Sequence, residues 1–146
     1  MQGKYSQVLE SDVGDFIVKR TDGLFAYHLA VTVDDDEQDI NEIVRGADLL
    51  DSTPRQMYIQ KLLRFSPPSY LHLPVAINED GSKVSKQSHA AAIDLRNPSK
   101  IIFEALGFLG QSPPPEAIDS DLDSLLAWSI KNWNIKSIPK QKEITI

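Results

Sequence analysis

The chain of 146 residues has no cysteine, which excludes a disulfide framework and any thiolate metal site within it. Histidine is scarce: His28, His72 and His89 are the only imidazoles, and their spacing is unlike that of a metal-ligand set. No metal site is therefore expected from the residues themselves. No apolar run approaches the ~20 residues that span a bilayer, and Met1 to Glu10 lack the basic and then apolar order of a signal peptide. The expectation is a cytoplasmic chain with no membrane partner. Basic residues are outnumbered, 15 Lys and Arg against 21 Asp and Glu, for a formal charge of -6. That balance opposes nucleic-acid binding through general backbone neutralisation, so any such contact has to be local.

What is present is ordinary for a globular protein: 41% hydrophobic and 25% charged residues. A chain of this size can bury roughly 70% of the surface its unfolded form exposes. The acids gather at Asp34, Asp35, Asp36, Glu37 and Asp39 and again at Glu116, Asp119, Asp121 and Asp123. Lysines gather at Lys83 and Lys86 and along the tail from Lys131 to Lys142, which permits one basic face. The first acidic run lacks the alternating ligands and closing glutamate of a calcium loop and reads as a solvated face.

Along the chain, Asp15 to Arg20 alternates apolar and polar residues and closes at Asp22-Gly23, the pattern of a short strand ending in a turn. Leu24 to Val33 fits a strand through Leu29, Val31 and Val33 and a helix through Leu29, Ala30 and Val33. Asn41 to Arg45 reads as a second strand feeding a loop at Gly46. Ser52 or Thr53 is a suitable N-cap and Pro54 a suitable first helical residue, predicting a helix to about Arg64 that buries Met57, Leu62 and Leu63. Pro67-Pro68 ends it. Tyr70 to Ile77 predicts a strand that runs into the turn Asn78-Glu79-Asp80-Gly81 and then a lysine-rich loop, Lys83 to Gln87. Helices are expected over Pro98 to Leu109, behind Asn97 and before Gly110, and over Asp121 to Trp133, behind Asp119 or Ser120, with the proline-rich Gln111 to Glu116 between them. This order fits an α/β layer better than a helical bundle.

Lys83-Val84-Ser85-Lys86-Gln87 puts two ammonium groups three residues apart after a glycine turn. A lysine is a compact point charge on a long stem, able to follow the negative charge that migrates as pyrophosphate leaves an α-phosphorus. Ser85 can add a hydrogen bond. Taken alone, such a loop is more often simply solvated. Arg45 is a permanently charged planar fork at a strand end, a good carboxylate partner, and Gly46 lets a ligand approach the backbone. As bare residues, Arg45 is more often a salt-bridge partner and Tyr27 a half-buried packing residue. His72, on an apolar strand, reads as a satisfied structural histidine.

Context narrows these readings. Phe25-Ala26-Tyr27-His28-Leu29-Ala30, then Arg45-Gly46-Ala47-Asp48, Ser52-Thr53-Pro54-Arg55-Gln56, His72-Leu73-Pro74 and the lysine loop follow in order. This series resembles the second half of the class I glutamyl-tRNA synthetase-like catalytic core, with Lys83 to Gln87 as its KMSKS-type loop in a KxSKQ form common in the glutamyl-queuosine tRNA(Asp) branch. The resemblance is strong from Leu24 to His89, and the closing Trp128 to Gln141 also looks like that shorter branch. It implies a Rossmann-like half core over residues 1–95 and a small helical segment over residues 96–146. It implies glutamate contacts from Tyr27 and Arg45, and ATP contacts from Lys86 with Lys83 and Ser85, where Lys83 and Lys86 also stabilise the activation transition state. By the same resemblance Asp34 and Asp35 match an acid pair that follows the tyrosine-containing helix, which favours helix around Leu29.

The parent enzyme so implied activates glutamate with ATP, magnesium accompanying the nucleotide, and passes the glutamyl group to queuosine in tRNA(Asp). The early HIGH-type ATP motif and the cysteine-based zinc site of that branch do not occur in this chain. The expectation is therefore a chain that starts mid-enzyme and is inactive alone. Two further readings stand beside this one: part of an ordinary glutamyl- or glutaminyl-tRNA synthetase, or a non-catalytic domain that binds RNA or a partner through its lysine loop and tail.

Overall fold

The structure is a computed structural model that describes residues 3–85, 93 and 95–146. The chain divides into two compact units, residues 2–72 and residues 73–146.

In the first unit a π-turn at Leu9–Val13 leads to an extended segment and a tight turn. The strand expected over Asp15 to Arg20 does not form. Lys19 makes a single antiparallel bridge to Phe25, and Arg20 N–H donates to Leu24 O across the turn at Asp22-Gly23. Ile17 remains 68% exposed, so the alternation buries no face that would reward a longer ladder. Helix α1 spans Tyr27–Glu37, so the ambiguous stretch is helical from Tyr27 onward, while Phe25 before it stands in the bridge to Lys19. Asp34 and Asp35 lie inside its last turns rather than after it, a correction to the expected placement.

Strand β1 is Glu42–Gly46, a 3-10 turn covers Ala47–Ser52, helix α2 is Thr53–Leu63 and strand β2 is Ser69–Leu73. The two strands form one sheet, and at their starts Ser69 N–H donates to Asn41 O at 2.8 Å. Strands bonded at their first residues run in the same direction, so β1, α2 and β2 make a parallel βαβ unit. The α/β expectation holds. Helix α1 packs on α2.

The buried face of α2 is Thr53, Gln56, Ile59 and Gln60, not the expected Met57, Leu62 and Leu63, which are 48%, 62% and 43% exposed. The spacing of the buried set is also a helical stripe, but a largely polar one, which hydrophobic periodicity cannot detect. Nor does Ser52 cap the helix. The 3-10 turn runs directly into α2, and the Ser52 side chain makes no cap bond.

In the second unit the strand expected over Tyr70 to Ile77 is broken. Pro74 has no N–H to donate, and the chain restarts as β3, Val75–Ile77. This strand pairs in parallel with β4, Glu143–Thr145, in the register Val75 to Glu143, Ala76 to Ile144 and Ile77 to Thr145. Helix α3 is Pro98–Phe108, capped by Asn97, whose side chain accepts from Lys100 N–H. Helix α4 is Leu122–Asn132, capped not by the expected Asp119 or Ser120 but by Asp121, whose carboxylate accepts from Ser124 N–H at 2.9 Å. Hydrogen bonding from the Ser124 side chain first, and then from its backbone N–H, holds the Asp121 carboxyl below its usual range. Leu106, Ala117 and Leu125 form the core between them, with Ile102, Phe103 and Trp128 packed against it. Gln111 ties the helices to the tail: its Nε2 donates to Leu109 O and Asn134 O, and its Oε1 accepts from Asn134 N–H.

Candidate functional site

Arg45 is the next-to-last residue of β1, half-buried, and its guanidinium is held on several sides within the first unit. Nε–H donates to His72 Nε2 at 3.4 Å. Nη2 donates to Thr53 Oγ1 at 2.7 Å and to Leu49 O at 3.4 Å. The Tyr70 ring lies beneath it, 5.2 Å from Cζ to the centroid, at a range where the ring face attracts the cation. The four partners come from three parts of the βαβ unit: Leu49 from the 3-10 turn, Thr53 from the first residue of α2, Tyr70 and His72 from the same side of β2.

Proton placement in this cluster follows from chemistry. A guanidinium only donates, so the His72 Nε2 that faces it has to be bare. Thr53 Oγ1 lies 2.9 Å from the same Nε2 and, having accepted from Arg45, can donate its own proton there. His72 is then neutral, with its proton on Nδ1. Burial pushes its pKa down, and the Arg45 charge pushes it further the same way. Tyr70 stacks on the His72 ring with centroids 6.2 Å apart and an interplanar angle of 8°. The Tyr70 hydroxyl accepts from Gln60 Nε2 at 2.9 Å, and its pKa is raised, chiefly by burial.

Helix α1 brings further groups toward this charge. Asp35 is half-buried, unlike the exposed Asp34, Asp36 and Glu37. Burial raises its pKa while Arg45 opposes the rise. The solvated-face reading thus fits three of these acids but not Asp35. Tyr27 opens α1 and is 54% exposed. Its ring meets that of His28 at 5.6 Å, and the His28 pKa is lowered by burial first, then by Arg55 and Arg45. Tyr27 is therefore an accessible phenol whose neighbour lies within electrostatic reach of Arg45. A cleft of about 330 Å³ adjoins the cluster, lined in part by Tyr5, Met57, Tyr70 and His72.

The lysine loop belongs to the second unit. The expected turn at Asn78 to Gly81 forms: Asn78 N–H donates to Ser82 O, Gly81 N–H donates to Asn78 O, and Ser82 N–H donates to Asp80 Oδ1. This turn pairs Lys83 with Ile77 in an antiparallel bridge, so Lys83 leaves directly from the end of β3 and is exposed. Ser85 is half-buried. Lys86 and Gln87, and with them the second ammonium group, lie outside the described residues. Tyr27 and Arg45 thus share one unit, and Lys83 and Ser85 share the other.

Sequence reasoning did not single out Thr53, Tyr70 or His72 as parts of the Arg45 site. Thr53 reads as a helix cap and His72 as a satisfied structural residue; the second reading is correct, but its partner is the candidate binding arginine. Nothing in their spacing from Arg45 announces the contact, because β2 returns beside β1 only after a full helix.

Comparison with known proteins agrees with this architecture. Residues 4–118 match the family described as tRNA synthetases class I (E and Q), catalytic domain. The glutamyl-Q tRNA(Asp) synthetase of Vibrio vulnificus (strain CMCP6) is 48% identical over 137 residues, covering 94% of this chain and 45% of the relative. That of Dechloromonas aromatica (strain RCB) is 46% identical over 146 residues, covering 100% of this chain and 48% of the relative. The chain thus spans about half the length of the curated relatives it matches. Among solved structures, the glutamate-tRNA synthetase from Elizabethkingia anophelis aligns with a TM-score of 0.60 at 19% identity, over 87% of this chain and 30% of that one, a likeness of fold. With a parallel βαβ unit, an arginine at its strand end and a family match across residues 4–118, the chain belongs to the class I (E and Q) tRNA synthetase catalytic-domain family.

Proposed function

We propose that this chain forms the glutamate-orienting and KMSKS-type part of a ligase that activates glutamate with ATP and transfers it to queuosine in tRNA(Asp). The observation that carries the reading is the 48% identity, over 137 residues, to a relative named glutamyl-Q tRNA(Asp) synthetase. The ordinary glutamyl-tRNA synthetase structure stands at 19% and supports the fold rather than the acceptor.

In this reading Arg45 holds a carboxylate of glutamate, and the Tyr27 hydroxyl supplies a hydrogen bond. The reacting carboxylate attacks the α-phosphorus of ATP, forming glutamyl adenylate and releasing pyrophosphate. Lys83 and Lys86, with Ser85, neutralise the charge that develops on the departing phosphates. A queuosine hydroxyl then takes the glutamyl group and AMP leaves. Positioning and electrostatics supply most of the acceleration in such a transfer. Magnesium is expected with ATP, bound mainly through phosphate oxygens and water. Among the described residues no three His, Asp or Glu side chains gather as a cage for it.

The test is glutamate-dependent exchange of pyrophosphate into ATP, followed by alkali-labile glutamylation of queuosine-containing tRNA(Asp). It is run on the chain alone and on the chain joined to the part of the Vibrio vulnificus relative that it does not match. The expected result is activity in the joined protein that falls at least ~100-fold in Arg45→Ala and in Lys83→Ala/Lys86→Ala, the scale of losing a charge-stabilising donor. Transfer to the acceptor end of tRNA(Glu) instead would favour an ordinary glutamyl-tRNA synthetase. Full exchange in Arg45→Ala would sink the assignment.

A further inference from the structure

Arg45 makes four contacts that do not treat its two guanidinium edges alike. Nε–H and Nη2 form one edge, and along it stand His72 Nε2 and Thr53 Oγ1, themselves 2.9 Å apart. Two acceptors side by side at that spacing occupy the positions of the two oxygens of a bidentate carboxylate. The remaining Nη2 proton points toward Leu49 O at 3.4 Å, a long bond. Among the described residues no hydrogen bond engages Nη1.

We propose that Thr53 and His72 are positioning residues for Arg45: they fill the Nε edge as a neutral stand-in for a carboxylate, so the arginine offers its Nη1 end to the acidic substrate. The inference rests on Arg45 being the glutamate contact and adds how that contact is aimed. Two physical arguments support it. Filling the edge with neutral acceptors leaves more of the positive charge of Arg45 available than an Asp or Glu bonded there would, Asp35 acting on it only from a distance. An arginine left to rotate would also have to be ordered on binding, and a fork already fixed by β2 and α2 loses less entropy when substrate arrives. Tyr70 completes the clamp by covering one face of the guanidinium and stacking on His72.

The test is NMR of the 15N-labelled chain, with the Arg45 Nε–H signal identified by its loss in Arg45→Lys. In the unmodified chain that proton should exchange with water about tenfold more slowly than those of exposed arginines, the protection expected of one charge-assisted hydrogen bond. His72→Phe, which deletes the acceptor of Nε–H, should remove the protection, and Thr53→Val and His72→Phe should each weaken L-glutamate binding about tenfold or more. Thr53→Ser and His72→Gln, which restore an acceptor at the same place, should recover what was lost and also show that the losses are not failures of folding. Bulk-rate exchange of Nε–H in the unmodified chain overturns the proposal. So does unchanged glutamate affinity in His72→Phe once protection is gone, or in Thr53→Val. Should the unmodified chain bind no glutamate while Nε–H is protected, the glutamate reading fails in this chain, and the proposal of aiming falls with it; protection lost with binding intact fails the aiming alone.

Discussion

Arg45 and Thr53 meet through a 2.7 Å hydrogen bond from Nη2 to Oγ1, joining the end of β1 to the first residue of α2 and fixing the candidate substrate arginine to the helix that crosses over it. Thr53 is 7% exposed, so water cannot replace the hydroxyl if it is removed. Thr53→Val keeps the shape and deletes the acceptor. The expected loss of stability is roughly 1–3 kcal/mol, the usual consequence of stranding a charged donor, and urea denaturation would measure it. Thr53→Ser should lose little.

Stability should fall as the solution is acidified. His72 and His28 both have pKa values pushed below the ordinary histidine value, in each case first by burial. A histidine whose folded pKa is depressed binds fewer protons folded than unfolded, so its contribution is complete above the unfolded value of about 6.5 and is lost as pH falls toward the folded value. Urea midpoints at pH 7.5, 6.5 and 5.5 should decrease in that order. His72→Gln should flatten the slope, and an unchanged slope would remove His72 from the account.

Leu125 is 1% exposed in the core between α3 and α4, against Leu106 and Ala117. Leu125→Ala should cost about 2–5 kcal/mol, transfer and cavity terms together. The loss is read as a drop in thermal midpoint or denaturant midpoint of the helical unit.

Two glycines near the end of α3 should respond in opposite senses. At Gly107 an added Cβ meets nothing within 4 Å, and Gly107→Ala should stabilise by about 0.5–1 kcal/mol through helix propensity alone. Gly110 has φ +70, and a Cβ there would press into the Ser137 carbonyl. Gly110→Ala should therefore destabilise by more than about 1 kcal/mol, and paired denaturation curves would show the contrast.

Much of the fold is legible locally. Asn97 announces the start of α3 because a capping side chain bonds to backbone only three residues away, whereas at α4 the cap falls on Asp121 and not on the expected Asp119 or Ser120. The turn at Asn78 to Gly81 is equally local. The strand over Asp15 to Arg20 fails because alternation yields a strand only where a partner and a core face exist. The break at Pro74 is visible in the residue itself, but the partner of β3 is not: β4 comes from the lysine-bearing tail, more than 60 residues later, and its side chains Glu143 and Thr145 give no strand pattern of their own.

The candidate site divides in the same way. Motif order determined the family, the class of fold and which residues to suspect, since Arg45, Tyr27 and the Lys83 loop each carry their chemistry in their own side chains. Only the tertiary structure decided what surrounds Arg45. Thr53, Tyr70 and His72 reach it because a parallel sheet places β2 beside β1 after a crossover helix, and contacts made through a crossover leave no periodicity in the chain. The polar inner face of α2 is decided at the same level, because Gln56 and Gln60 are buried by the packing around them and not by any apolar character of their own.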